Sequence, residues 1–262
     1  MELLQHTVNP FNGVVITTDE LPTGRDEFAA RLAYSLAEWT RRGHALVWLE
    51  LPISYADLIP AAIAQGFRFH HSIEESLTLT YRLQHGALIP GFATHFIGAG
   101  GVVLTEDREL LVVNERHRRD KSRPYWKLPG GALLPGEHLA EAVLREVMEE
   151  TGVQAEFDAL VCFRHWHNYR FGKSDIYFVC RLRAASRAIT IQLDEIEEAR
   201  WMAVDEYLDS EFVGDFNKRI VAAALDTPGI PLTWVDGYAD RRAYEFFVPG
   251  GVPITPNPLL NL

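Results

Sequence analysis

The chain has 262 residues, a length that corresponds to one large domain or two small ones. Hydrophobic residues make up 47% of the chain and charged residues 23%, which excludes a mainly disordered, collagen-like or coiled-coil protein. The net charge of −11 argues against binding of duplex nucleic acid, which needs a basic surface. It permits a small anionic substrate, because a bound cation can reverse the local field.

The sequence also predicts the cellular setting. It contains no run of about 18 apolar residues, so we expect no membrane-spanning segment and no membrane partner. The first residues, MELLQHTVNPFNG, lack the basic and apolar regions of a secretory signal. The two cysteines, Cys162 and Cys180, are too few for a disulfide framework and lie in strand-like runs. We therefore expect a cytoplasmic protein with two buried free thiols.

Residues 1–92 predict a first domain. The helix at 25–42 is amphipathic, and Gly43 ends it. The predicted order of elements is strand 14–17, helix 25–42, strand 45–51, helix 58–65 and strand 76–83. This order favours a small α/β domain in which helices cover a sheet. The sequence Ile89-Pro90-Gly91 is typical of a domain boundary.

A second domain is predicted over 93–228, followed by a C-terminal extension over 229–262. A basic loop (116–127) and the sequence LPGG (128–131) separate its first two strands from its first helix. The predicted elements are strands 95–105 and 109–115, helix 137–151, strands 154–170, 174–183 and 196–203, and helix 213–225. We expect the tail from residue 226 to be irregular and to lie on a surface.

The segment from Gly130 to Val153 carries the strongest chemical signal. Five of its residues recur at the spacing of a helix face that packs against a core. They are Leu139, Val143, Glu146, Val147 and Glu150. Glu149 lies beside Glu146 on the same broad face, so three carboxylates are expected to converge near the end of the helix.

Clustered carboxylates at this place are unfavourable without a cation. Like charges repel along a helix, anions oppose the dipole at its C-terminus, and burial removes their hydration. A hard divalent cation, Mg²⁺ or Mn²⁺, offsets all three effects, and a backbone carbonyl of Gly130-Gly131 can join it. Glu141 and Glu149 flank Arg145 and can hold its guanidinium. The alternative is a solvated acidic face, which would not coincide with the apolar stripe.

The same segment resembles a known sequence motif. Gly131 is followed after five residues by Glu137, and after seven more by REVMEETGV, residues 145–153. This pattern resembles the Nudix box at all of its fixed positions. The resemblance implies an α/β (α+β) protein with an α/β/α sandwich around a mixed sheet. It also implies hydrolysis of a nucleoside diphosphate linked to another moiety, with Mg²⁺ or Mn²⁺ as cofactor.

The resemblance also assigns roles to residues. Glu146 and Glu150 match the main metal ligands, and Glu149 is either a third ligand or the partner of Arg145. Glu137 would steady the loop or hold a metal through water, and Gly131 begins the box. In some members the catalytic base lies on a loop well after the box. Glu195, in QLDEIEEARWM at 192–202, is the first choice here, although a charged strand entry explains this segment equally well.

Segments outside the box resemble one branch of the family. WLELP (48–52), LIPAAIAQGFRFHHS (58–72) and LTLTYRL (77–83) resemble the N-terminal extension of plant ADP-ribose/NADH pyrophosphatases and of the animal protein encoded antisense to basic fibroblast growth factor. In that branch the extension resembles an acetyltransferase-like half-fold. The resemblance implies cleavage of ADP-ribose or NADH to AMP and a phosphorylated moiety.

Three alternative functions remain open. A tyrosine at the spacing of Tyr169 is similar to dinucleoside polyphosphate hydrolases, oxidised nucleotides are a further substrate class, and a non-catalytic nucleotide sensor is the rival function. Trp126 and Tyr169 could stack on a base, although each is better explained as core. Arg116 and Arg118 belong to six cations in the basic loop that could attract a polyphosphate, or simply be solvated. The sequence leaves the oligomeric state open, with a homodimer as one option.

Overall fold

The computed structural model describes residues 1–118 and 120–250. The predicted C-terminal extension is therefore described only as far as Gly250, and Arg119 of the basic loop lies outside the described residues. The chain divides into two compact units, one formed by Met1–Thr94 and one that begins at His95. Within the described residues, no helix combines the length and the apolar character needed to cross a membrane.

The first unit is built on a five-stranded mixed sheet. Its elements are β1 (His6–Val8), β2 (Gly13–Ile16), α1 (Arg25–Arg41), β3 (Leu46–Pro52), α2 (Ile59–Ala64), β4 (Arg68–Ile73) and β5 (Ser76–Arg82). The strand order is β1-β2-β3-β5-β4, with a parallel β2–β3 pair. Phe28 and Trp39 of α1 are buried with Leu49 of β3. This is a sheet-rich domain that is not clearly acetyltransferase-like, so that part of the expectation is not confirmed.

The second unit is built on a larger mixed sheet. The strands of this sheet are β6 (His95–Leu104), β7 (Glu109–Glu115), β8 (Trp126–Lys127), β9 (Gly130–Ala132), β10 (Ala155–Trp166), β11 (Ser174–Ala184) and β12 (Ile196–Ala203). Two further strands of the unit, β13 (Leu232–Thr233) and β14 (Phe246–Phe247), form a separate two-stranded sheet. The helices of the second unit are α3 (Leu139–Thr151), α4 (Val204–Asp209) and α5 (Asp215–Asp226). The central order is β10-β11-β6-β7-β12, with β8 on β7 and β9 on β6, and β11–β6 is the parallel pair.

Helices cover both faces of this sheet. Val102 and Val112 are buried with residues of α4 and α5, whereas Val103 and Leu111 are buried with residues of α3. Because neighbouring residues of a strand point to opposite faces, this division places one helical layer on each side. The predicted α/β/α sandwich around a mixed sheet is confirmed.

The glycines of β6 allow close packing at the centre of the sheet. A Cβ atom on Gly101 would lie 3.1 Å from Val147 Cγ2 of α3, and one on Gly100 would lie 2.9 Å from Tyr177 Cε1. Any larger residue would therefore push helix α3 and Tyr177 away from the sheet. This explains the Gly-rich sequence by packing, as expected for glycines within a strand.

Several elements differ from the prediction. Helix α3 begins at Leu139 and not at 137, and β10 ends at Trp166 and not at 170. The tail is not irregular throughout, because β13 and β14 pair within it. Both cysteines are free thiols, as predicted. Cys180 is buried and Cys162 is half-buried, and burial raises the pKa of the Cys180 thiol to about 12.

Candidate active site

The box forms a strand, a loop and a helix, namely β9, residues 133–138 and α3. Gly152 ends α3 in the left-handed conformation with φ of 70°, which glycine adopts without steric strain. The predicted stripe faces the core, and its apolar members Leu139, Val143 and Val147 are buried. Glu150 continues the stripe and is only 5% exposed. The sequence pattern thus places a carboxylate inside the fold.

Arg145 holds the loop against the helix. Its Nε donates to Glu137 Oε1 at 2.6 Å and its Nη2 donates to Glu137 Oε2 at 2.9 Å. This paired geometry is the strongest that arginine makes with a carboxylate. Arg145 holds the pKa of the Glu137 carboxyl below its usual value. Glu137 also accepts a hydrogen bond from Leu134 N at 2.9 Å, so it fixes the loop at two points.

Arg145 also holds two carboxylates of the helix. Its Nη1 donates to Glu146 Oε1 and to Glu149 Oε2, both at 2.9 Å, and its Nη2 reaches Ala132 O at 3.1 Å. The partnership of Arg145 with Glu149 was predicted. The partnership with Glu141 was wrong, because Glu141 Oε2 instead accepts from His138 N at the start of α3. Glu137 takes that place.

The glycine pair lies directly against the carboxyl groups of Glu146 and Glu150. A Cβ atom on Gly131 would lie 2.6 Å from all three carboxyl atoms of Glu146. Gly130 N donates to Glu150 Oε2 at 3.0 Å. The two glycines therefore hold the Glu146 and Glu150 carboxyl groups close to the backbone of β9.

Burial dominates the electrostatics of these carboxyl groups. It raises the pKa of Glu150 to about 8, with the neighbouring charge of Glu146 acting in the same direction and the Gly130 amide opposing it. Burial also raises the pKa of Glu146, against the effect of Arg145. Both side chains are therefore held in an environment that disfavours their charged form unless a cation is added.

The residues present fit a hard divalent cation. Two neighbouring carboxyl groups with raised pKa values, one buried and one half-buried, offer the oxygen donors that Mg²⁺ and Mn²⁺ prefer. The predicted convergence of three carboxylates is not observed, because Glu149 is 52% exposed and turned towards Arg145. Within 1–118 and 120–250, no three His, Cys, Asp or Glu side chains form a ready metal-binding group.

Glu195 lies within electrostatic reach of the box. It is exposed in the turn before β12, and its backbone carbonyl accepts from Arg116 N at 2.7 Å. The negative charge of Glu195 contributes to the raised pKa of Glu146. Chain order could not predict this electrostatic influence of Glu195 on the box.

A cavity of about 530 Å³ opens beside the glycine pair, and its size is typical of a small-molecule site. Its walls include Phe96, Tyr169, Arg170, Phe216, Arg164 and Lys127. Arg164 Nη2 pairs with Asp175 Oδ2 at 2.6 Å, and its guanidinium lies 5.6 Å from the ring centre of Tyr177. The cavity thus combines aromatic surfaces with cationic groups.

The four predicted substrate residues lie in different surroundings. Tyr169 lines the cavity and is 39% exposed, whereas Trp126 is 3% exposed in the core. Arg200 also covers the ring of Trp126, with its guanidinium carbon 4.5 Å from the ring centre. The prediction that Trp126 stacks on a base is therefore wrong. Arg118 donates to Glu197 and to Glu115 O, and Arg116 is half-buried. Neither arginine lines the cavity.

Sequence reasoning missed most of the cavity wall. Arg164, Asp175 and Tyr177 come together because β10 and β11 pair with Arg164 opposite Tyr177 and Trp166 opposite Asp175. Polar and aromatic residues alternate in these two strands, and this alternation was the sequence signal that could have indicated the cavity wall. Glu115 and Lys127, at the ends of β7 and β8, form an ion pair on the cavity wall. Their charges act on the pKa of Glu150.

Comparison with known proteins identifies both units. Residues 94–224 match the family described as NUDIX domain. Residues 4–83 match the family described as Nudix hydrolase domain.

Three relatives cover most of this chain. Nudix hydrolase 8 of Arabidopsis thaliana is 38% identical over 84% of this chain, which spans 60% of that protein. Nudix hydrolase 2 of the same plant is 38% identical over 78% of this chain and 74% of its own length. The human protein called nucleoside diphosphate-linked moiety X motif 6 is 33% identical over 85% of this chain and 72% of its own length. The predicted resemblance to a branch with plant and animal members is confirmed, and the chain belongs to the Nudix hydrolase family.

Proposed function

We propose that this protein is a metal-dependent pyrophosphatase that cleaves a nucleoside diphosphate derivative to AMP and a phosphorylated moiety. One observation carries the proposal: the half-buried Glu146 and the buried Glu150 lie against the glycine pair at the edge of a cavity of about 530 Å³. Nudix hydrolases generally need divalent metal ions. ADP-ribose and NADH are the favoured substrates, and Mg²⁺ or Mn²⁺ is the proposed cofactor.

Each proposed site residue has a separate role. A divalent cation at Glu146 and Glu150, with the backbone of Gly131 alongside, would neutralise the pyrophosphate and lower the pKa of the attacking water. Arg145 orients Glu146 and Glu149, and Glu137 fixes Arg145. Glu149 would then either join the ligands or remain the partner of Arg145.

Glu195 is the proposed general base. Its carboxylate is exposed and near enough to raise the pKa of Glu146, so it can accept a proton close to the scissile bond. A positioned base of this kind typically contributes about 10²–10⁴-fold in rate.

The cavity supports a nucleotide with an aromatic base. Phe96 and Tyr169 lie 5.9 Å apart between ring centres, and such rings can stack on a base. Arg164 and Arg170 bring positive charge to the same walls, which suits the phosphates or a carboxamide oxygen. Dinucleoside polyphosphates and oxidised nucleotides remain the alternative substrates.

The same proposal includes a cytoplasmic location and a homodimer. It also includes three domain limits: 1–92, 93–228 and 229–262.

Product analysis on a substrate panel tests this function. ADP-ribose, NADH, NAD, diadenosine polyphosphates, CoA and 8-oxo-dGTP would each be incubated with Mg²⁺ or Mn²⁺ and separated by chromatography. AMP should appear from ADP-ribose or NADH, and Glu150→Gln should lower the rate by about 10²-fold or more. Glu156→Gln, at an exposed pair with Arg183, is the matched control and should keep native activity.

The outcomes separate the competing functions. Turnover of another substrate class would replace ADP-ribose and NADH while the pyrophosphatase proposal stands. Binding of ADP-ribose or NADH without turnover by either metal would contradict the enzyme and favour a nucleotide sensor.

A further inference from the structure

Residues 229–250, here called the C-terminal arm, make an unexpected contact with helix α3 of the box. Glu245 accepts hydrogen bonds from Leu139 N at 2.5 Å and from Ala140 N at 3.0 Å. Its side chain is 10% exposed. The first amides of a helix have no partner within the helix, and the helix dipole is positive there. A largely covered carboxylate at this place is therefore a strong cap.

The cap comes from far along the chain. Glu245 lies more than one hundred residues after Leu139, whereas a capping side chain normally comes from the residue just before the helix. In this protein that residue is His138, which forms a local capping box with Glu141. His138 Nε2 instead lies 3.0 Å from Arg241 O of the C-terminal arm. The arm thus adds a distant cap to the local one at the start of the helix.

Other contacts fix the C-terminal arm in place. Ile230 and Leu160 exchange two backbone hydrogen bonds, at 2.7 and 2.9 Å. Phe247 lies 5.9 Å from Phe157 between ring centres, and it packs against the cluster that contains Val143 and Val147 of α3. Contacts before and after Glu245 in the chain therefore fix the position of Glu245.

We propose that Glu245 is a positioning residue for the active site. By capping α3 it fixes the rotation and the axial place of a helix whose other end carries Glu146 and Glu150. Those residues lie about 10–16 Å further along the helix at 1.5 Å per residue, so Glu245 acts on them through α3 and not by direct contact. Its catalytic consequence rests on the proposed function, whereas its effect on α3 does not.

The test uses the full chain with two variants and one control. Glu245→Ala removes both acceptors, Glu245→Gln keeps one carbonyl oxygen, and Glu156→Gln changes an exposed glutamate paired with Arg183. Hydrogen exchange reports on the amides of α3, and Mn²⁺ titration by electron paramagnetic resonance reports on the metal site. Both are measured at a temperature where circular dichroism shows each protein folded.

We expect a graded effect. In Glu245→Ala, exchange should accelerate along α3 as far as Glu146–Glu150, and the apparent Mn²⁺ dissociation constant should rise about threefold or more, the factor that loss of a helix cap corresponds to. Glu245→Gln should lie between Ala and native protein, and the control should match the native protein. If Glu245→Ala does not fold, only Glu245→Gln is compared with the native protein and the control.

Two results would overturn the inference. Faster exchange confined to the first turn, with native Mn²⁺ affinity, would show a local cap without influence on the site. Native behaviour in both measurements would show that the cap is dispensable. If the native protein binds no Mn²⁺, the proposed function fails, and the exchange pattern along α3 still decides whether Glu245 positions the helix.

Discussion

Glu150 occupies a helix position where the surrounding pattern calls for an apolar side chain. Burial raises its pKa to about 8, so in metal-free protein the carboxyl group is largely protonated at neutral pH. A cation must therefore displace a proton when it binds. This links the stability of the fold, the pH and the metal through one side chain.

The link predicts how stability depends on pH. A group whose pKa is raised in the folded state stabilises the fold fully below its unfolded value of 4.5, and this contribution is lost as the pH rises towards about 8. Denaturant unfolding of the protein in a chelator should show a free energy of unfolding that decreases between these pH values. Glu150→Gln cannot ionise and should show a shallower decrease. Parallel curves for the two proteins would contradict the assignment.

Substitution by alanine should have different effects at Gly131 and at Gly130. In Gly131→Ala the new Cβ would meet the carboxyl group of Glu146 at 2.6 Å. Since that group ends a flexible side chain, it can move away. We expect little loss of stability but a loss of activity of about tenfold or more, because the proposed metal ligand Glu146 is displaced. Melting temperature and turnover, measured together, check this.

Gly130→Ala should instead destabilise the fold. Gly130 has φ of 151°, and a Cβ there would lie 2.6 Å from Gly100 Cα, which is backbone and cannot move aside. A strained backbone position costs about 1–3 kcal/mol. Gly24→Ala, where the nearest atom would be 3.9 Å away, is the control. A native melting temperature for Gly130→Ala would show that the β6–β9 contact is looser than described.

At the scale of elements, Arg145 joins three of them. It binds Glu137 of the loop, Ala132 O of β9 and two glutamates of α3. Lysine has one ammonium group and cannot reproduce this forked geometry. Arg145→Lys should therefore lower both activity and stability, the latter by about 1–3 kcal/mol for the lost charged hydrogen bonds.

The control for this substitution is Arg183→Lys, at an exposed pair with Glu156 at 3.4 Å. Such pairs contribute about 0–1 kcal/mol, so its unfolding curve and turnover should match the native protein. Native turnover in Arg145→Lys would mean that positive charge alone, without the fork, organises the loop.

The sequence predicted long, strongly patterned elements and missed short ones. Helix α3 was recognisable from its apolar stripe and from Gly152. Strand β4 was missed because its residues, RFHHSI, do not alternate and none is buried. β13 and β14 were missed because each has two residues, too few for any periodicity. Their pairing depends on contacts with the rest of the second unit.

The candidate site follows the same logic. The glutamates and Arg145 lie within one continuous segment, so spacing alone predicted them. Glu137, the partner of Arg145 that helical spacing missed, lies in a loop whose path no periodicity describes. Glu245 reaches α3 only through tertiary structure, and Arg164 meets Asp175 only through strand register. Sequence patterns cannot define such distant pairs.

At the scale of the molecule, local charge matters more than net charge. The chain carries −11, yet the cavity wall holds three cationic side chains, Arg164, Arg170 and Lys127, against two carboxylates, Glu115 and Asp175. Fields in a cleft are set mainly by nearby groups, because salt screens distant charges within about 8 Å under physiological conditions. An acidic protein can therefore bind an anionic nucleotide, as the composition permitted.

The two units have separate hydrophobic cores, and this predicts separable responses to core damage. Leu49 is fully buried in the core of the first unit and Leu111 in that of the second. Substitution of either by alanine should cost about 2–5 kcal/mol. In Leu49→Ala, hydrogen exchange should accelerate within 1–94 while turnover below the transition stays native. Leu111→Ala should accelerate exchange in β6, β7 and α3 and lower turnover. Equal acceleration throughout both units in Leu49→Ala would instead show a single cooperative unit, in which damage to the first core also loosens the helix that carries Glu146 and Glu150.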